Sequence, residues 1–418
     1  MAQLSDDCFA FGGALIRIEE ALAILAERLA PIAEAETVGL AAAHGRVLAE
    51  DVIAPLDVPG FANSAVDGYA VRHADLSAEG DSVLPVAGRV AAGAERVPPL
   101  GAGEAIRIFT GAPMPQGADT VFMQEDTEAL TDGRVRLPAG LKRGANAREA
   151  GEDVARGARI LPAGRRLRPQ DVGLAASVGL TRLPVRRMLR VAVFSTGDEI
   201  AEPGATLAPG QVYDSNRFTL ASLLGALGCG VTDLGILPDR REAVAQALAA
   251  AAPEHDLLLT SGGVSTGEED HVKAAVEQAG SLFLWRLAIK PGRPVAMGQV
   301  AGTAFVGLPG NPVAVMVTFA HIVRPLVLHL AGAELRPLPR YAVRAAFSYR
   351  KKEGRREYVR ASLALAPDGM TEARKFPREG AGILSSLVES DGFVELGEEV
   401  REVAPGDSVA FLPFSGLA

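Results

Sequence analysis

The chain has 418 residues, which at about 150 residues per domain predicts a multidomain protein of about three units. Apolar residues make up 48% and charged residues 22% of it, enough to fill packed cores, and this excludes a largely disordered chain. A net charge of −9 excludes a general nucleic-acid or membrane-surface binder.

Two cysteines, Cys8 and Cys229, cannot build a disulfide framework or a cysteine-rich metal site. The opening MAQLSDDCFAFGG lacks a basic stretch followed by an apolar one, so no signal peptide is expected. The most apolar stretch, residues 313–330, is interrupted by His321, Arg324, Pro325 and His329 and reads as a buried helix, not a membrane span. The expectation is a cytoplasmic protein without membrane or nucleic-acid partners.

In chain order, Leu15, Ile18, Leu22, Leu25 and Leu29 recur at helical spacing as far as Pro31. So narrow a seam also suits a subunit contact. A second helix is predicted over residues 39–52. Between residues 55 and 147, short apolar runs separated by Gly and Pro predict a small β domain.

From Arg190 onward strands alternate with helices, which predicts a parallel sheet covered by helices. Its strands are predicted over 191–194, 231–237, 257–260, 282–289 and 303–308, with Asn216 capping one helix and Asn311-Pro312 starting another. A Pro-rich linker at 336–339 leads into a β tail over about 340–414, with a hairpin turn at Pro367-Asp-Gly369.

Ligands of open α/β sheets bind beyond the carboxyl ends of the strands. Those ends carry Ser195, Thr196, Asp198 and Glu199, then Asp239, then Ser261, Gly262, Gly263, Ser265, Thr266 and Asp270, then Lys290 and Arg293. The glycine pair lets backbone N–H groups approach an anion. Asp198, Glu199 and Asp270 suit Mg²⁺, and Lys290 and Arg293 suit an oxyanion. Together they point to nucleotide or phosphoanhydride chemistry. No His or Lys stands near the serines in sequence, which disfavours a serine hydrolase. The tail adds a basic cluster: residues 340–360 carry eight Lys or Arg and two Glu, a local net of +6. It is either a solvated hairpin or a face for a polyanionic ligand.

Seven segments, VPGFANSAVDGYAV (58–71), IRIFTGAPMP (106–115), RVAVFSTGDE (190–199), YDSNR (213–217), TSGGVSTGEED (260–270), WRLAIKPGRP (285–294) and GLPGNPV (307–313), resemble in order those of the MoeA family, which includes the gephyrin E domain. The resemblance implies a multidomain α/β and β fold with a Mog-like α/β domain and an elongated homodimer. The implied units are an elongated helical segment (12–54 and 146–186), an inserted small β domain (55–145), the Mog-like domain (187–332) and a C-terminal β-barrel-like domain (338–415). The implied reaction is molybdopterin molybdenum transfer: molybdate and adenylylated molybdopterin give molybdenum cofactor and AMP, with Mg²⁺ as cofactor.

By the same resemblance, Asp270 and Glu199 would manage Mg²⁺ and the phosphoanhydride, with Asp239 and Lys290 beside them. Lys290 and Arg293 would sit in the molybdate region, and Ser195, Thr196, Gly262, Gly263, Ser265, Arg286, Arg360 and Ser385 or Ser386 would contact substrate. Thr110, Asp67 and Tyr69 would complete the cleft from the partner subunit. Contacts with a Mog-like adenylyltransferase and with molybdoenzymes would follow. Three departures stand out: Ala62 replaces an Asp common in bacterial members, and Arg286 and Arg293 stand where Lys is common. The alternatives are a molybdopterin adenylyltransferase and a non-catalytic scaffold.

Overall fold

Why the N-terminal seam curls into a helix is visible at its first turn. Glu20 accepts the Arg17 N–H at 3.1 Å, and Glu19 and Glu20 face the positive end of helix Ile18–Arg28. The structure, a computed structural model, describes residues 15–32, 34–263 and 271–417. Ile18, Ala21 and Leu25 are buried in one apolar cluster with Leu326, Val327 and Leu330 of the same chain, so the seam is core, not a free subunit face.

The helix expected over residues 39–52 does not form. Strand Ala35–Gly39 pairs antiparallel with Arg182–Arg186, and only one 3-10 turn follows at Leu40–Ala42. Gly45, at φ +78°, then turns the chain. Cross-strand pairing of Thr37 and Val38 overrode the helical preference of the alanines next to them.

The small β domain is a six-stranded sheet in the order Thr120–Met123, Gly68–Val71, Ala105–Ile108, Ser82–Val90, Arg134–Leu137, Glu128–Ala129. Apolar residues from these strands collect in two clusters. Gly68 is obligatory there, because a Cβ would fall 1.6 Å from the carbonyl oxygen of Phe122.

The α/β sheet runs Gly230–Leu237, Arg190–Thr196, Leu257–Ser261, Thr303–Leu308, Pro294–Val300, Gly280–Arg286. It is not purely parallel. The Ala301-Gly302 turn, with both residues at positive φ, folds Pro294–Val300 back against Thr303–Leu308 as a hairpin. Gly280–Arg286 pairs antiparallel with that reversed strand and so points the same way as the rest. The carboxyl ends after residues 196, 261, 286 and 308 therefore share one edge.

Residues 312–330 form a helix interrupted by a π turn at Phe319–Val323, just before Pro325, which has no N–H to return to the preceding turn. By length and composition it would span a membrane, but most of it is buried inside the protein, packed between sheet and tail. Asn311 occupies its N-cap position without a side-chain bond to the helix.

The tail closes into a five-stranded barrel, because Arg356–Leu365 pairs with both Thr371–Lys375 and Gly392–Leu396. The hairpin turn at 367–369 connects the first two of these strands, with Gly369 at φ +82°. The barrel is joined to the α/β unit by a parallel pairing of Ile289–Lys290 with Arg356–Glu357 and by the rings of His321 and Tyr358, 4.4 Å apart.

Candidate functional site

At the carboxyl edge, Ser195 and Thr196 are buried, and among the described residues neither hydroxyl has a hydrogen-bond partner. Ser261 accepts from Asn216 Nδ2 at 2.9 Å and donates to the Pro309 carbonyl at 3.2 Å. Asn216 is thus not a helix cap. It is the first residue of helix Asn216–Ala226, with Ser215 at the cap position, and its amide also reaches the Gly310 carbonyl at 2.7 Å, tying three edge loops together.

Gly262 and Gly263 both have positive φ. A Cβ on Gly263 would lie 2.7 Å from Thr196 Oγ1 and 2.7 Å from Val272 Cγ2, so the turn closes only with glycine. Glu199 folds over Gly197 and is exposed; Asp239 is half-buried. Ser265, Thr266 and Asp270 lie outside the described residues.

The loop carrying Glu199 is anchored by a residue that sequence reasoning passed over. Arg217 is buried and donates to Asp214 at 2.9 Å, to Glu202 at 2.6 Å and to Asp233. Its guanidinium is desolvated, but the three carboxylates outweigh that and raise its pKa. YDSNR reads in sequence as a helix start; only the fold shows that its arginine fixes the neighbouring loop.

Lys290 meets the barrel. Its Nζ lies 3.2 Å from Glu357 Oε2, which also accepts from Tyr349 Oη at 2.8 Å, while Oε1 accepts from Arg355 at 2.8 Å. Burial works to raise the Glu357 pKa, yet these donors hold it below the ordinary carboxylate value. Above the pair opens a cavity of about 200 Å³ lined by Lys290, Arg360, Lys375 and Arg378, with Glu357 and Glu379. Arg360 is buried and donates to the carbonyls of Gly380 at 3.0 Å and Arg378 at 2.9 Å, leaving Nε without a partner among the described residues.

Arg293 is half-buried in the same loop, and Arg286 is exposed at the end of its strand. Ser385 is exposed; Ser386 is buried and donates to the Ile383 carbonyl.

Most of the basic stretch 340–360 is neutralised. Arg340 pairs with Glu395, Arg344 with Asp368, Arg350 with Glu402, and Arg356 with Glu19, Glu395 and Glu398. The solvated-hairpin reading therefore accounts for these arginines, and Arg360 is the member turned to the cavity. Sequence reasoning treated Glu357 as an offsetting charge and missed Tyr349, Lys375 and Arg378, because the cavity forms only when the barrel closes.

In the small β domain, Thr110 donates to Asp67 Oδ1 through both its N–H at 2.8 Å and its hydroxyl at 2.7 Å, and these bonds lower the Asp67 pKa. Tyr69 is nearly buried, its ring under the Arg107 guanidinium at 5.0 Å. The residues expected as one cleft are thus held on three separate elements of this chain.

Among the described residues no group of three or more His, Cys, Asp or Glu is placed to hold a metal ion. With Asp270 outside them, the donor set on view does not make a Mg²⁺ site.

An α/β sheet with serine, threonine and glycine turns at its carboxyl edge, joined to a β barrel where a cationic cavity opens, defines a multidomain α/β protein with two β appendages. Family models match in register: the MoeA N-terminal region (domain I and II) over residues 16–179, a probable molybdopterin binding domain over 192–329, and the MoeA C-terminal region (domain IV) over 342–414. The chain is 39% identical to the molybdopterin molybdenumtransferase of Haemophilus influenzae over 96% of its own length and 100% of that protein's. It is 37% identical to molybdopterin molybdenumtransferase 2 of Mycobacterium tuberculosis, over 88% and 93% of the two chains. Its structure resembles the molybdopterin biosynthesis MoeA protein of Pyrococcus horikoshii with a TM-score of 0.81 at 29% identity, covering 96% and 100% of the two chains. The chain belongs to the MoeA family.

Proposed function

We infer that this chain is a molybdopterin molybdenumtransferase, which inserts molybdate into adenylylated molybdopterin and releases AMP in molybdenum cofactor biosynthesis. The observation that carries the reading is the cleft where Lys290, from the sheet edge, and Arg360, from the barrel, face one cavity. Molybdate is a tetrahedral dianion, and a rigid guanidinium fork beside an ammonium suits its oxygens. Arg360 is held by two carbonyls and Lys290 by Glu357, so both cations are oriented before substrate arrives.

On this reading the Ser195, Thr196, Gly262 and Gly263 edge, with Ser265, receives the pterin and its phosphates, and Arg286, Arg293 and Ser385 border the molybdate. Glu199 and Asp270 would hold Mg²⁺ with Asp239 near them; the described carboxylates form no complete site, so the metal is assigned no step. Asp67, Tyr69 and Thr110 would close the cleft from the partner subunit of a homodimer. A cytoplasmic location and contacts with a Mog-like adenylyltransferase and molybdoenzymes belong to the same proposal.

The test is AMP release by purified protein given adenylylated molybdopterin, with and without molybdate. Molybdate-dependent release is expected. No release overturns the reading, and accumulation of adenylylated product from ATP and metal-free molybdopterin would assign the preceding adenylyl transfer instead.

A further inference from the structure

A second cationic cavity lies away from that cleft, where the N-terminal segment meets the long helix and the linker that follows it. It measures about 430 Å³ and is lined by His44, Arg165, Arg166, Arg168, Arg324 and Arg336, with Glu334 the acid on its wall. Volumes of this order hold small-molecule ligands.

The charges there are unequally satisfied. Arg165 and Arg168 share Asp171, and Arg336 pairs with Glu334. Arg166 donates only to carbonyls, to Ala226 at 2.7 Å and Gly45 at 3.4 Å. Arg324 makes no hydrogen bond or ion pair among the described residues, and its Nε is fully enclosed. Both are half-buried, and burial lowers the pKa of each; the neighbouring charge of Arg166 lowers that of Arg324 further. A partly desolvated guanidinium that lacks a counter-charge favours an anion that would supply one.

We propose that this cavity is a binding site for a tetrahedral oxyanion of the phosphate class, free or carried by a nucleotide, held between Arg166 and Arg324 with Arg336 at the mouth. Two planar forks converging on one space suit bidentate contacts to such oxygens. The site is separate from Lys290 and Arg360 and independent of the reaction assigned to them.

Calorimetric titration of the full chain with inorganic phosphate, and separately with AMP, tests it. Wild-type protein is expected to bind phosphate saturably. Arg324→Gln and Arg166→Gln should each weaken that binding about tenfold or more, whereas Lys290→Ala should leave this component in place. In the component that Arg324→Gln weakens, tighter binding of AMP than of phosphate identifies a nucleotide-borne group, and equal or weaker binding of AMP identifies the free anion. Because Arg324→Gln could misfold, Arg336→Gln, at an exposed residue, provides a folded variant in which affinity should also fall. Unchanged affinity in all three arginine variants overturns the proposal. A crystal structure showing a partner-subunit carboxylate against Arg324 would do the same.

Discussion

Lys290 Nζ sits 3.2 Å from Glu357 Oε2, the one residue in the short strand Ile289–Lys290 that leaves the α/β sheet, the other buried in the first long strand of the barrel. This pair fastens the two domains at the point where the cationic cleft opens. Lys290→Met should change stability by no more than about 1 kcal/mol, because its charge is half exposed. Glu357→Gln removes the negative charge shared by Lys290, Arg355 and Tyr349 and turns one of its two acceptor oxygens into a donor, which should cost about 1–3 kcal/mol. Urea unfolding measures both. Molybdate affinity should fall about tenfold in Lys290→Met, having lost one charge-assisted contact.

Gly263 and Gly262 separate conformational strain from steric exclusion. Both have positive φ, but a Cβ on Gly262 comes no nearer than 3.6 Å, to the Thr196 carbonyl, while one on Gly263 strikes Thr196 and Val272. Gly262→Ala should cost about 1 kcal/mol and Gly263→Ala about 3 kcal/mol, from strain plus collision. Thermal melts rank them, and AMP release should be lower in the second variant.

The Asp67–Thr110 link rests on two donors to one oxygen. Thr110→Val removes the hydroxyl and keeps the backbone N–H, so turnover should hold within about threefold. Asp67→Ala removes the acceptor for both, and kcat/KM should fall about tenfold or more with little change in melting temperature. Equal behaviour of the two variants would count against a positioning role for this link.

His321 sets an acid sensitivity. Burial, then the positive charges of Arg340, Arg356 and Arg324, push its pKa down to about 3. In the unfolded chain it titrates near 6.5, so below that pH the unfolded state takes a proton that the folded state refuses. Its contribution is whole above pH 6.5 and is lost at about 1.4 kcal/mol per pH unit on acidification. His321→Phe, which can keep a ring against Tyr358, should flatten the stability–pH curve between pH 6 and pH 4, read by urea midpoints.

Much of this protein was legible in its residues. The alternation of apolar runs with helical stretches marked the α/β unit. Gly262-Gly263 marked a turn at its carboxyl edge, because turn chemistry and strand ends are local properties. The helix expected over residues 39–52 did not form beside the pairing of Ala35–Gly39 with Arg182–Arg186, and the strand Pro294–Val300 went unpredicted, because its reversal depends on a two-residue turn.

Tertiary structure alone decided which charges are available. Residues 340–360 carry +6 on paper, yet most of those arginines find carboxylates from elsewhere in the chain. Arg360, Arg166 and Arg324 do not. Charge is a sum over sequence, whereas neutralisation depends on partners brought close by folding. The sequence alone determined that this acidic protein had positive charge to spare; the barrel's closure against the sheet and the packing of the N-terminal segment on the long helix decided where it stays unspent.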